Sequence, residues 1–217
     1  MNRTAVVMNL KSKSNIIIHS YSVGSAIWSA LTAVIPVIGP GVGDTLGLTA
    51  ITTAMAYSLA ELFGKKIDKT IVFSFGALML GSSLGFSFLR AAISVLHGVG
   101  SAINAAITFS LQEATGWGIY LFLASGGDLK NMTKDDLTTY IARGKAIAQE
   151  EQKNYQHMLS RLPPEVRDQV KKLQRSLANR YLSKRDRETI IKTINSLFEP
   201  YVEDDHPSAF ADNHHQE

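Results

Sequence analysis

Residues 69–90 read KTIVFSFGALMLGSSLGFSFLR, twenty uncharged positions closed by Lys69 on one side and Arg90 on the other. A helix rises 1.5 Å per residue, so roughly 20 apolar residues match the hydrocarbon thickness of a bilayer. The stretch therefore predicts a membrane-inserted helix with a charged residue at each interface. Within it Ala77, Gly81 and Gly85 recur every fourth position and share one helix face. Stripes of small residues let helix backbones approach closely in lipid, so Gly81 and Gly85 read as a helix-packing pair.

The same bias extends outward. Residues 14–43, 45–60 and 91–112 are further runs without Asp, Glu, Lys or Arg, of 30, 16 and 22 positions. Positions 19–124 hold only 8 of the 41 charged residues of this 217-residue chain, and the other 33 crowd into the remaining 111 positions. A net charge of +3 thus averages two unlike halves. The expected organisation is a basic N-terminal segment (1–14), an apolar helical-hairpin membrane domain (15–127), an amphipathic helical cytoplasmic unit (128–200) and a disordered acidic tail (201–217). The fold class is all-α, with glycine-rich apolar hairpins followed by a small charged helical unit.

A second small-residue stripe, Ala102, Ala106, Ser110, Ala114 and Gly118, predicts another packing face. The turns echo each other at an offset of 57 residues, Pro40-Gly41-Val42-Gly43-Asp44 against His97-Gly98-Val99-Gly100-Ser101. Pro36, Gly41, Gly43, Gly98 and Gly100 are expected in turns, with Asp44 and Ser101 capping the helices that follow. Four spans would place Arg3, Lys11, Lys13, Lys65, Lys66, Lys69, Lys130 and Lys134 on one side, and the positive-inside rule makes that side the cytoplasm. Localisation in the cell (inner) membrane with both termini cytoplasmic follows. A signal peptide fits less well, because the first apolar run is too long and lacks a clear cleavage site. Asp44, Arg90 and His97 are the polar residues expected at membrane or interfacial depth, where ionisable groups are costly.

At these segments the chain resembles the YcjF-type GTPase-associated family, a bacterial membrane domain of unknown function found beside or fused to Era-like GTPases. The resemblance rests on Ile35-Pro36 through Gly43-Asp44, on residues 55–64, on Gly98-Val99-Gly100-Ser101 and on Thr115-Gly116 through Ser125-Gly126-Gly127. It covers about residues 15–130. The first turn is longer than the family's, and His97 stands where its second turn has proline. The resemblance implies a membrane-associated helical accessory domain, and supplies neither an activity nor a partner site.

In the charged half, Thr133 to Asp136 and Ser183 to Asp186 have the spacing of capping boxes, and Pro163-Pro164 separates two helices. Val166, Val170, Leu173, Leu177 and Tyr181 form one apolar stripe, and Ile190, Ile191, Ile194, Leu197 and Phe198 another, most simply within a three-helix unit. Residues 161–192 carry ten basic and four acidic side chains, and Arg167, Lys171 and Arg175 share a face suited to anionic headgroups or to plain solvation. No aromatic residues interleave with the basic ones, so nucleic acid is not an expected partner.

Chemistry-bearing motifs are sparse. With no cysteine, thiolate metal sites and thiol nucleophiles are excluded. Gly64-Lys65-Lys66 and Gly144-Lys145-Ala146 lack the other elements of a phosphate-binding loop, and Gly41-Val42-Gly43 follows no strand. His19, His97 and His157 have no carboxylate at ligand spacing, so neither metal nor cofactor is expected. The functional expectation is a non-enzymatic membrane-integral protein that anchors or regulates a partner such as a GTPase. It is expected to contact the lipid bilayer and to form homo-oligomers. One alternative is a pore-forming toxin or effector that oligomerises through its glycine-rich helices, and a third reading is a soluble all-helical adaptor.

Overall fold

A computed structural model describes residues 9–32, 42–65, 101–179 and 181–202, with side chains of 31–32, 42–46 and 101–104 outside the description. The described residues are all-helical and contain no strand. The helices are α1 (Leu10–Thr32), α2 (Val42–Leu62), α3 (Ser101–Ala124), α4 (Lys134–Ser160), α5 (Pro164–Ser176) and α6 (Lys184–Phe198).

α1 is the central element and packs against all five of the others. Ile16, Ile17, Ile18 and Tyr21 are consecutive or nearly so and all are buried, so this helix is covered on every side rather than along one stripe. α2 runs antiparallel to it. Trp28 near the end of α1 lies over Gly47 near the start of α2, and the Tyr21 hydroxyl meets Ser58 Oγ at 3.1 Å further along.

The closest helix crossing joins the two halves of the sequence. α3 turns into α4 through Gly126, whose φ of +88° favours glycine, and through a 3-10 turn, Leu129–Asn131, capped by Asp128. Thr133 then caps α4 in a full capping box with Asp136. The two helices cross at Ala114, Gly118 and Gly144. A Cβ on Gly144 would collide with the Ala114 carbonyl oxygen and the Gly118 nitrogen, and one on Gly118 would lie 2.8 Å from the Tyr140 carbonyl oxygen.

Two apolar clusters result. The larger joins Ile18 and Tyr21 of α1, Ile51 and Met55 of α2, Trp117 and Ile119 of α3, and Leu137 of α4 to Leu177 and Ile191. The second gathers Tyr155, Met158, Leu162, Val170, Ile194 and Phe198 around Ile16 of α1. Helices α4 to α6 therefore build their core on α1 instead of closing a separate three-helix unit.

No helix among the described residues is long and apolar enough to cross a membrane, so α1, α2 and α3 are not the spans read from runs 14–43, 45–60 and 91–112. The physical reason is that absence of charge is not apolarity. α1 carries Ser14, Asn15, His19, Ser20, Ser22, Ser25 and Ser29, and α3 carries Thr108, Gln112, Glu113 and Thr115. Lys11 and Lys13 lie inside α1 rather than in a segment preceding it. Asp44 is the third residue of α2, not its cap. Tyr181 leaves its apolar stripe because α5 ends at Ser176, and it stands 78% exposed. Pro36, Ala77, Gly81, Gly85, Arg90, His97, Gly98, Gly100, Gly41 and the tail from residue 203 lie outside the described residues.

Candidate functional site: a buried polar seam and a basic turn

The polar residues that keep α1 from being apolar point inward. Asn15, His19, Ser22, Ser25 and Ser29 are spaced by three or four positions, so they form one line along the helix, and all are buried. Ser22 Oγ donates back to the Ile18 carbonyl at 2.9 Å, satisfying itself within the helix. Thr108 Oγ1 of α3 donates to Ser29 Oγ at 3.1 Å, and Thr52 Oγ1 of α2 lies 2.9 Å from Gln112 Oε1.

At the middle of the seam His19 Nδ1 approaches Glu113 Oε1 at 3.1 Å, with both side chains almost fully buried. The distance is that of an ion pair, yet neither His19 Nδ1 nor either Glu113 oxygen has a well-directed hydrogen bond. The imidazole is held by its neighbours: the Tyr155 ring stacks on it at 3.7 Å and Phe109 meets it edge-on at 5.2 Å. Tyr155 Oη accepts from Gln174 Nε2 at 2.7 Å, and the same amide lies 3.2 Å from Ser20 Oγ. Burial, with the nearby Glu113 charge, pushes the Tyr155 phenol well above its usual value, so it stays a neutral hydrogen-bonding group.

The seam closes at Glu151 of α4. Lys11 Nζ reaches Glu151 Oε1 at 2.6 Å, and Asn15 Nδ2 donates to the Glu151 carbonyl at 2.8 Å. Asn154 Nδ2 donates to Glu151 Oε2 at 3.1 Å. A buried carboxylate satisfied on several sides fixes where α1 sits against α4 more than it adds stability.

A second polar feature lies on the surface. Lys184, at the start of α6, sits 3.9 Å from the Tyr57 ring centroid and 3.6 Å from Glu61, which binds the end of α2 to the α5–α6 turn. Burial pulls the Lys184 ammonium down, but Tyr57 and Glu188 outweigh it and leave it above its usual value. Arg187 is buried and donates to the carbonyls of Leu177 at 3.2 Å and Asn179 at 2.9 Å, clamping the turn from inside. Arg175 precedes the turn and Arg185 follows it, both exposed.

Ala114 and Gly118 are buried at the α4 crossing, whereas Ala106 and Ser110 of the same stripe are exposed. Ala102 and Ser101 are placed only by their backbone at the start of α3, where Ser101 is the first helical residue and not the cap, and Gly43 lies inside α2 instead of in a turn. On the anticipated basic face, Lys171 and Arg175 are exposed, and Lys171 is 3.7 Å from Asp168. Arg167 turns away from it and donates to the Leu162 carbonyl at 3.1 Å. The His19–Glu113 contact was missed because the two lie 94 positions apart. The available signal was that Glu113 is a lone acid in a long uncharged stretch. Among the described residues no three His, Asp or Glu side chains gather as a metal centre would need. No protein-family model, curated protein or solved structure matches the chain.

Proposed function

We propose that the chain is a non-enzymatic, membrane-bound helical protein that anchors or regulates a partner, with the apolar run at residues 70–89 as its bilayer contact. The observation that carries this reading is a contrast within one sequence. Twelve of the run's 20 uncharged positions are Ile, Val, Leu, Met, Phe or Ala, while the helices around it have filled their interiors with hydroxyls, amides and a His–Glu pair. The composition of the run therefore suits lipid.

Its attachment points refine the picture. α2 ends beside Lys184 of α6, whereas Thr108, near the start of α3, bonds Ser29, close to where Trp28 covers the start of α2. Residues 66–100 thus connect opposite ends of the packed helices. A simple crossing would carry those ends to opposite sides of a bilayer, along with the charged helices packed on them. A bilayer-surface protein whose run embeds alongside the helices fits this better than four spans.

A GTPase is the partner suggested by the sequence resemblance alone. The packing of Ala114 and Gly118 against Gly144 uses part of the small-residue stripe within the chain, which favours an anchor over a pore assembled through that stripe. Membrane fractionation of the full chain at neutral pH tests the reading. The chain should stay in the pellet through high salt and leave with detergent, and quantitative release into the salt wash would overturn it.

A further inference from the structure

We infer that the turn between α5 and α6, with Arg175, Tyr181 and Arg185 at its rim, is a contact surface for anionic phospholipid headgroups. The inference deepens the membrane-bound reading and rests on it. Tyr181 is the most exposed of the large hydrophobic residues described, at 78%, and it stands between two exposed arginines in the sequence. Tyrosine combines an apolar ring with a polar tip and suits the headgroup layer, and a guanidinium can bind a phosphate through two parallel N–H bonds.

The turn is built to hold these groups outward. Arg187 clamps its carbonyls from within, the Tyr181 backbone N–H donates to Asn179 Oδ1 at 3.0 Å, and Ser183 accepts from the Asp186 N–H at 3.1 Å. The local acids are already engaged. Lys184 lies 3.6 Å from Glu61 and 3.3 Å from Glu188, and Ser183 Oγ donates to Asp186 at 2.7 Å. Neither Arg175 nor Arg185 has an acidic partner among the described residues, so both charges are available to a ligand.

Position chooses the ligand. The Lys184 contacts set this turn against the last turn of α2, from which the chain passes into Lys65, Lys66 and Lys69 and then into the uncharged run. The α5–α6 turn therefore adds positive charge and an aromatic ring where the bilayer contact begins. An acidic protein would be served by the charge alone, and the proximity to the run favours a leaflet.

The test uses the full chain, which has no native cysteine, with Tyr181→Cys carrying an environment-sensitive fluorophore. His157→Cys is the control. It is exposed in the last turn of α4, near the cluster at the far end of α6. Vesicles of phosphatidylcholine alone are compared with vesicles that also contain phosphatidylglycerol. The chain should float with both, while the probe at 181 shifts blue only on the anionic vesicles and the probe at 157 does not shift. Adding Arg175→Gln and Arg185→Gln should lower the equilibrium constant for headgroup contact at the turn about 30-fold, from roughly fivefold per charge. Failure to float with either vesicle overturns the membrane-bound reading and this inference together. Flotation with an unshifted probe at 181, an equal shift on neutral vesicles, or an equal shift at 157 overturns the inference alone.

Discussion

Gly144→Ala adds one methyl group at the closest helix crossing, and its sign is decided by the structure. In an isolated helix the change is favourable by about 1 kcal/mol, because alanine has the better helix propensity. Here the new Cβ would collide with the Ala114 carbonyl oxygen and the Gly118 nitrogen of α3. Both are backbone atoms inside a helix, so neither can rotate away, and α3 and α4 must separate. Overpacking of this kind costs about 1–3 kcal/mol, and a rigid obstacle argues for the upper half of that range. After the propensity gain the net loss is about 1–2 kcal/mol, or about 2–8 °C in Tm for a chain of this size. Urea unfolding followed by circular dichroism, with thermal melts beside it, measures the change. If Gly144→Ala stabilises the protein by about 1 kcal/mol, as an open helix glycine would, the α3–α4 crossing is wrong.

Burial pushes the Tyr21 phenol up to about 12 from 10, so the folded state keeps a proton that the unfolded chain loses. That contribution is whole below pH 10 and lost as pH rises to about 12, roughly 3 kcal/mol in all. Unfolding free energies taken through this window should fall more steeply for the native chain than for Tyr21→Phe, and parallel curves would contradict the burial. Lys11→Met removes the cation facing buried Glu151. Because the Lys11 side chain is 41% exposed, the cost should be about 1 kcal/mol rather than that of a fully buried pair. A double-mutant cycle with Glu151→Gln should show the two changes to be non-additive, and additivity would refute the contact. Thr133→Ala, which loses the α4 capping box, should cost about 1 kcal/mol in the same denaturation assay, and no change would refute the cap.

Local rules were the most legible part of the sequence. Thr133-x-x-Asp136, the Pro163-Pro164 break and the Ile190–Phe198 stripe depend on residues a few positions apart, and each appears in the structure as read. All-α architecture followed from such signals. The four-span reading failed because runs were scored by missing charge, which counts the serines of α1 and the threonines of α3 as if they were apolar. When buried, some of those residues bond across helices, as Thr108 does with Ser29, and others bond back within their own helix, as Ser22 and Thr115 do. Long-range pairing was not legible. His19 with Glu113, Asn15 with Glu151 and Gln174 with Tyr155 are set by how whole helices pack, and no spacing rule reaches across 94 or 136 positions. The Gly118–Gly144 crossing was half visible, since the stripe on α3 marks a close approach without naming α4 as the partner.

The central claim is that residues 70–89 hold the protein on a bilayer while the described helices stay packed beside it. The direct measurement is vesicle flotation at neutral pH of the native chain against a chain with Leu78→Arg and Leu80→Arg, two charges near the middle of the run. An arginine placed at hydrocarbon depth costs about 2.5–3.5 kcal/mol, so two should abolish flotation. Helical content and the urea midpoint, set by α1 to α6, should hardly change. Flotation of the native chain and loss of flotation in the folded variant is the predicted result, and equal flotation of the two, or none for the native chain, would contradict the account.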